Sequence, residues 1–194
     1  MKLVKFLKYY FYFISYWLKI QYEIKFISDL HKHDLFALMA HHSVRQTYDG
    51  RPYYYHVKSV AMTTLEFSIL KGKELELAYI GALYHDLIED CHQFTYNDVK
   101  KKHGVDIADI VYACTELRGK NRKERHGDEY IKTLKESKIG SYVKLCDIYS
   151  NMKNAKETGH SMLKAYKKEY PKTKKIFYSD EFKEIFDAFE ILMH

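Results

Sequence analysis

The sequence has few residues that interrupt a helix, with two prolines and eight glycines among 194 residues. The stretches between them are rich in Leu, Lys, Glu, Ala and Met, mixed with aromatic residues, and are too long for typical strands. This composition favours an all-α fold. The length fits one domain, or one domain with a terminal appendage, and allows a substantial buried core.

Cysteine is also scarce. The three cysteines, Cys91, Cys114 and Cys146, are widely spaced and form no CxxC pair. An odd number of scattered cysteines argues against a framework of disulfide bonds. We therefore predict free thiols and a reducing cytoplasm as the location of the protein.

The charge of the chain is a weaker indication of its partner. A formal net charge of +6 at pH 7 suggests an anionic partner, but solubility alone also explains a charge of this size. Basic residues do not alternate with aromatic residues in a cluster typical of a nucleic-acid surface. We expect a small phosphorylated nucleotide, rather than duplex nucleic acid, as the partner.

The first 26 residues form a segment distinct from the remainder, 27–194, which we predict to be one catalytic domain. The segment has an apolar helical stripe with polar residues opposite, which predicts an amphipathic helix. Its uncharged run, Tyr9–Leu18, is too short to span a bilayer. Packing on the protein or on a dimer partner is one interpretation, and lying on a membrane surface is another. The oligomeric state stays open. The stripe contains Leu3, Leu7, Tyr10, Ile14 and Trp17.

The remaining sequence predicts a series of further helices. A helix over residues 28–46 should end at a turn, because Asp49-Gly50 is followed by Pro52. Thr95 is typical of a helix N-cap, with Asp98 three residues later, and that helix should end at Gly104. Other helices are predicted at 56–71, 74–90, 105–117, 123–136, 139–155, 161–178 and 180–193.

The segment His85-Asp86-Leu87-Ile88-Glu89-Asp90 holds four ionisable groups. On a continuous helix, His85 and Glu89 are four residues apart, as are Asp86 and Asp90, so these groups would share one face. Three carboxylates this close repel one another. A divalent cation would remove the repulsion, because imidazole nitrogen and carboxylate oxygen are both suitable ligands. An exposed acidic helix end with a chance histidine is the alternative.

Two distant residues favour the metal. His56 follows a turn and lies near the start of a predicted helix, from which it can reach a neighbouring helix. Asp147 is a lone acid in an apolar helix, where an unpaired carboxylate is costly. With His85 and Asp86 they would form a set of two histidines and two aspartates. Such a set leaves room for water or substrate, as a catalytic metal site requires.

In this order of motifs the chain resembles the HD superfamily, and its longer context resembles the RelA/SpoT-type hydrolases, which include small alarmone hydrolases and metazoan SpoT homologues. A bare His-Asp doublet is a weak signal. HDxxED with a preceding Gly-x-Pro-Tyr-x-x-His and a later Lys-Leu-x-Asp is much more specific. The matching segments are Ala40–His42, Gly50–His56, His85–Asp90, Lys120–Arg125 and Lys144–Asn151.

The resemblance implies an HD-type helical bundle and a manganese-dependent 3′-pyrophosphohydrolase acting on ppGpp or pppGpp. It implies that Glu89 and Asp90 position or activate the attacking water. Asn151 matches a family residue near the substrate ribose, Tyr166 a tyrosine that contacts the nucleotide, and His42 a position that we interpret as supporting structure. The implied metal ligands are His56, His85, Asp86 and Asp147.

The chain departs from the family just before Gly50. Family members often carry basic residues where this chain has Thr47 and Tyr48, and those basic residues touch the substrate. Arg45, Arg51 or the basic run 122–125 are candidates to supply the charge, although a basic run is more often a solvated face. The candidate substrate-binding residues are Arg45, Thr47, Arg122, Lys123, Asn151 and Tyr166.

The departure leaves other functions open. One alternative keeps the metal and changes the substrate to another nucleotide phosphoester, a nicotinamide dinucleotide phosphate or a pyrophosphorylated RNA end. A second is a nucleotide-binding or membrane-docked module without catalysis. The presence of Glu89 and Asp90 speaks against the second, because a binding site needs no pair of acids to activate water.

Overall fold

The computed structural model describes residues 2–116 and 127–194. Within this part the chain forms ten α-helices, one short 3-10 helix and one two-stranded hairpin, which confirms the predicted all-α fold. The helices are α1 (Lys2–Ser43), α2 (Tyr54–Thr63), α3 (Gly72–Tyr84), α4 (Leu87–Asp90), α5 (Tyr96–His103), α6 (Val105–Cys114), α7 (Asp128–Glu136), α8 (Lys138–Thr158), α9 (Leu163–Phe177) and α10 (Lys183–Met193); the 3-10 helix is Asp180–Phe182. The hairpin strands are β1 (Thr47–Tyr48) and β2 (Arg51–Pro52).

Helix α1 joins the amphipathic helix predicted in the first 26 residues to the helix predicted over residues 28–46. The prediction of two separate helices is wrong. The helix continues because no glycine or proline precedes Gly50 and nothing local ends it. The chain divides into two compact units, Met1–Phe36 and Ala37–His194. The boundary predicted after residue 26, the amphipathic character of the segment and its membrane contact stay predictions. No helix in the described residues is both long and apolar enough to cross a membrane.

Helix α8 is the central element of the second unit. It packs against α2, α3, α6, α7, α9 and α10, and its residues Val143, Leu145 and Cys146 are buried. Helices α3 and α6 also approach closely. A Cβ atom on Gly81 would lie 2.5 Å from Cγ2 of Ile110, so this contact requires glycine.

The hairpin forms where the sequence predicts a turn. Asp49 and Gly50 both have positive φ, 49° and 74°, as a two-residue turn between antiparallel strands requires. The strands pair antiparallel, with Tyr48 opposite Arg51. The hairpin therefore leads the chain from the end of α1 into α2.

Two other local predictions are confirmed. Thr95 caps α5 in a reciprocal box with Asp98, and α5 ends at Gly104, which has a φ of 91°. Cys91, Cys114 and Cys146 are buried free thiols. The cytoplasmic location stays a prediction.

Candidate metal centre and active site

A cavity of about 540 Å³ opens among the helices of the second unit. One wall carries the predicted acids and metal ligands His56, Asp86, Glu89, Asp90 and Asp147. The cavity is also lined by aromatic and aliphatic side chains together with a few polar ones. These include Tyr48, Tyr53, Tyr130, Ile131, Leu134, Tyr166, Ile176 and Phe177.

Three separate parts of the fold supply the four predicted metal ligands. His56 lies in the first turn of α2, and Asp147 lies in the middle of α8. His85 and Asp86 lie between α3 and α4. The structure therefore brings together residues that are 91 positions apart in the sequence, from His56 to Asp147.

The continuous helix predicted over residues 74–90 is wrong at its functional end. Helix α3 ends at Tyr84, Asp86 has φ −99° and ψ 2°, and α4 begins at Leu87. On an unbroken helix, adjacent side chains diverge by about 100° and could not face one ion together. The interruption allows the consecutive residues His85 and Asp86 to face the same point.

The ligand atoms of these four residues lie close together. Nε2 of His56 lies 3.6 Å from Oδ2 of Asp86 and 3.4 Å from Oδ1 of Asp147. Nε2 of His85 lies 3.0 Å from Oδ2 of Asp86 and 3.8 Å from Oδ1 of Asp147. Atoms of His56, His85 and Asp147 all lie within 4.8 Å of one another. That these side chains bind the metal stays a prediction.

Neighbouring groups fix the orientation of each aspartate and of His85. The Tyr53 hydroxyl donates to Oδ2 of Asp86 at 2.6 Å, and the Asn151 amide donates to Oδ1 of Asp147 at 2.6 Å. Nδ1 of His85 lies 2.8 Å from the carbonyl oxygen of Ala82. A carbonyl only accepts, so this nitrogen carries the proton and Nε2 offers its lone pair to the site.

The electrostatics of the cluster suit a cation. Burial disfavours a charged His56, yet Asp147 and Asp86 outweigh burial and raise its pKa to about 9. The pocket therefore favours positive charge at this point. In addition, Nε2 of His85 is buried and faces Oδ2 of Asp86 at 3.0 Å, without a well-aligned hydrogen bond in the described residues. Imidazole and carboxylate groups are suitable ligands for a divalent metal ion. Such an ion would accept the lone pair of the buried His85 Nε2.

Asp147 also has a cationic neighbour in the protein. The Lys144 ammonium lies 3.0 Å from Oδ2 of Asp147, and only 14 % of the Lys144 side chain is exposed. Although burial opposes it, Lys144 together with His56 holds the pKa of Asp147 below its usual value. Asp147 is therefore ionised throughout the physiological range.

Glu89 and Asp90 lie beside the cluster, on the same cavity wall. Burial, and then the charge of Asp86, raise the pKa of Glu89 to about 7 and also raise that of Asp90. The backbone N–H of Glu116 donates to Oε1 of Glu89. The amide of Gln46 donates to Oδ2 of Asp90 at 2.8 Å. A carboxyl group with a pKa near neutrality is suited to accept and release protons.

The six predicted substrate-binding residues fall into three groups. Asn151 and Tyr166 line the cavity. Arg45 and Thr47 are exposed and are not among its lining residues. Arg122 and Lys123 lie outside the described residues.

Sequence reasoning missed several residues that contact the acids. His42 is exposed, and its neighbour His41 is the buried one, with 1 % of its surface exposed. Gln46 and Tyr53 contact Asp90 and Asp86 directly. The ring of Tyr48 stacks on that of His56 with centroids 4.8 Å apart. Tyr53 gave a signal in the sequence as part of the motif before His56, and His41 lies in the matching segment Ala40–His42.

The helical fold and the cluster of His56, His85 and Asp147, which could hold a metal ion, fit the class of the metal-dependent hydrolases. The HD domain family model matches residues 53–185, well over half of the chain. The chain therefore belongs to the HD domain family. HD domains bind divalent metals, and the chain is a metal-dependent hydrolase of this family.

A solved structure shares this fold. It belongs to a metazoan orthologue of SpoT that hydrolyzes ppGpp and plays a role in starvation responses. The match has a TM-score of 0.62 and 21 % sequence identity, and it covers 81 % of this chain and 93 % of that one. None of the curated proteins compared matches the chain.

Proposed function

We propose that the protein removes the 3′-pyrophosphate from ppGpp, pppGpp or a closely related nucleotide, with Mn²⁺ as the metal. The observation that carries the proposal is the position of Glu89 and Asp90 beside the four clustered ligands, in a cavity large enough for a nucleotide. The shared fold with a SpoT orthologue that hydrolyzes ppGpp supports the choice of substrate.

The metal would be held by His56, His85, Asp86 and Asp147. When bound, a divalent cation offsets charge on the transferring phosphoryl group and lowers the pKa of nearby water. These four residues leave the remaining acids of the wall available for proton transfer. Tyr53 and Asn151 keep the two aspartates oriented toward the cluster.

In the reaction, the oxygen of water bonds to the phosphorus attached to the ribose 3′ oxygen, and the bond between that phosphorus and the 3′ oxygen breaks. Pyrophosphate leaves with the oxygen of the water, and the ribose 3′ oxygen takes up a proton, equivalent to the one that Glu89 accepts, to become a 3′ hydroxyl. Glu89 accepts the proton of the attacking water, since its pKa of about 7 matches this task. Asp90, held by Gln46, orients that water.

The cavity also suits a nucleoside. Tyr48, Tyr166 and Phe177 line it, and aromatic side chains can stack on a base. Asn151 reaches the cavity one helical turn after Asp147. In this proposal the base lies against the aromatic residues and the ribose lies near Asn151.

One observation favours a second candidate, a nucleotide with fewer phosphates. Among the described lining residues, acids outnumber lysines by six to two, and Lys144 already contacts Asp147. A substrate with fewer phosphates needs fewer cationic partners. The acids are Asp86, Glu89, Asp90, Glu116, Asp147 and Glu169, and the lysines are Lys144 and Lys172.

A hydrolysis panel tests both candidates. Purified protein is incubated with ppGpp, pppGpp, NADPH, nucleoside 3′-monophosphates and a triphosphorylated RNA, with Mn²⁺, Mg²⁺, Zn²⁺ or chelator. We expect pyrophosphate and GDP from ppGpp, fastest with Mn²⁺ and abolished by chelator. Turnover confined to monophosphates would remove the alarmone proposal and favour the second candidate. Tight ppGpp binding in calorimetry without turnover would instead indicate a binding module.

A further inference from the structure

A chain of two hydrogen bonds leads from the end of α1 to Asp90. Nδ1 of His41 lies 3.1 Å from Oε1 of Gln46, and Nε2 of Gln46 donates to Oδ2 of Asp90 at 2.8 Å. Gln46 lies in the link between α1 and the hairpin, and Asp90 is the last residue of α4. The contact therefore spans 44 residues of sequence.

The direction of these bonds follows from the donor and acceptor capacity of each group. An ionised carboxylate only accepts, so Gln46 must present its NH₂ group to Asp90. The amide oxygen of Gln46 then faces His41. Because that oxygen also only accepts, the proton of the His41 ring must lie on Nδ1.

The surroundings of His41 keep it neutral and fixed. Its ring is buried and lies 4.9 Å from the ring of Tyr53, between centroids. Sγ of Cys91 lies 3.6 Å from its Nδ1. Nε2 of His41 is buried and has no hydrogen-bond partner in the described residues. Burial lowers the pKa of His41, so a second proton on this ring is disfavoured.

We infer that Gln46 and His41 are positioning residues that hold the Asp90 carboxylate in its working orientation. Gln46 acts on Asp90 directly, and His41 acts through Gln46 by fixing the orientation of its amide. The inference rests on the proposed function, in which Asp90 orients the attacking water. A carboxylate that is free to rotate about its side-chain bonds would present the wrong lone pair to that water.

The kinetic test uses matched substitutions at Gln46. Gln46→Met keeps the size of the side chain and removes both hydrogen bonds, and Gln46→Glu keeps the acceptor for His41 but places a carboxylate against Asp90. We expect kcat for ppGpp to fall about tenfold to a hundredfold in both, with KM unchanged. Gln93→Met is the control, because Gln93 is exposed and donates to Ser43 outside the cavity. Wild-type kcat in Gln46→Met overturns the inference.

A second pair of substitutions tests His41. His41→Asn places an amide N–H near the position of Nδ1, whereas His41→Ala removes the donor. We expect His41→Asn to recover most of the kcat that His41→Ala loses. His42→Ala, at the exposed neighbouring histidine, is the control for general damage to the end of α1. Equal loss in His41→Asn and His41→Ala, with equal melting temperatures, would contradict an orienting role.

A double-mutant cycle separates positioning from a structural effect. If Gln46 acts only through Asp90, then Gln46→Met should lower kcat in the wild-type background and have little effect in the Asp90→Asn background. A structural effect would lower kcat equally in both backgrounds. Additive losses therefore overturn the inference even if Gln46→Met is impaired.

A spectroscopic measurement keeps the inference testable if no nucleotide is hydrolysed. Nitrogen-15 NMR of the full chain with diamagnetic Mg²⁺ reports which ring nitrogen of each histidine carries a proton, and His41→Asn identifies the signals of His41. We expect the proton of His41 on Nδ1, and its partial loss from Nδ1 in Gln46→Met. If the proton of His41 lies on Nε2 in the wild type, the inferred hydrogen bonds from His41 through Gln46 to Asp90 are contradicted. If His41 carries its proton on Nδ1 but no nucleotide is hydrolysed, only the proposed function is contradicted.

Discussion

The four acids of the site form two pairs with opposite electrostatics. Asp86 and Asp147 lie against imidazole rings, and Asp147 also lies against the Lys144 ammonium. Despite burial, these neighbours hold the pKa of both aspartates below the usual range. Glu89 and Asp90 lie on the same wall, but there burial and the charge of Asp86 raise the pKa values.

The contrast assigns different chemistry to the two pairs. Carboxyl groups with low pKa values stay ionised and are suited to hold a cation. Glu89, whose pKa is raised to about 7, can exchange protons near neutral pH. The folded chain achieves this separation within one five-residue segment, because Asp86 faces His85 and His56 whereas Glu89 and Asp90 do not form the same ion pairs in the described residues.

We expect the largest effect from removing a predicted metal ligand, one of the two aspartates with lowered pKa values. We expect Asp86→Ala to lower kcat/KM by more than about a thousandfold, because both charge stabilisation and the ligand set are lost. The fold should be retained in circular dichroism, and bound metal after dialysis should fall in parallel with activity. Asp106→Ala, at an exposed acid in the first turn of α6, is the control. Full activity in Asp86→Ala would refute the metal assignment.

The second prediction concerns the other pair. Glu89→Gln should lower kcat by about 10²- to 10⁴-fold, the usual contribution of a general base, while metal binding stays near that of the wild type. The amide oxygen of Gln can still accept from the N–H of Glu116. Metal content and single-turnover rates measure the two effects separately, with the exposed Glu136→Gln as control. Loss of metal in Glu89→Gln would place Glu89 in the ligand set instead.

A smaller effect is expected from the hydroxyl that supports Asp86. Tyr53→Phe removes the 2.6 Å hydrogen bond to that carboxylate, and such supporting groups contribute about 10- to 100-fold to metal affinity or activity. Metal titration followed by calorimetry measures the change. Tyr55→Phe is the matched control, since Tyr55 is 55 % exposed. Equal affinities in the two variants would show that the hydroxyl does not orient Asp86.

The smallest expected effect is the dependence of kcat on pH. Glu89 must be ionised to accept a proton, so kcat should rise with pH up to its pKa and then level off. Below that midpoint the rate should fall about tenfold per pH unit. The midpoint should lie at or below the value of about 7, because a bound cation favours the carboxylate. The residual rate of Glu89→Gln should lack this limb, and a limb that persists unchanged would belong to another group.

The sequence predicted which residues lie together at the site better than it predicted their local geometry. The local contexts of His56, His85, Asp86 and Asp147, together with the resemblance to the HD superfamily, nominated residues that the fold brings together. The break after Tyr84 was not predictable, because the apolar pattern continues through Leu87 and Ile88 without glycine or proline. The side chain of Asp86 contacts Tyr53 and His56, which are distant in the sequence, so no local pattern marks these contacts.

Other residues were missed for similar reasons. His41 and His42 are adjacent in the sequence, and the direction in which each faces from α1 decides which of them is buried. The partner of Gln46 is 44 residues away, so no local pattern marks it. For Arg45 and Thr47, the tight turn of the hairpin directs Tyr48 to the cavity while these two stay exposed.

The buried thiols can report on local unfolding of the helices around them. Burial raises the pKa of Cys91 to about 12 and raises the pKa values of Cys114 and Cys146 as well. Alkylating reagents attack thiolates, so they react with these sulfurs only when the surrounding helices separate. Cys91 directly follows Asp90, and Cys146 directly precedes Asp147. The alkylation rates at Cys91 and Cys146 would therefore measure how often α4, which carries Asp90, and α8, which carries Asp147, open locally.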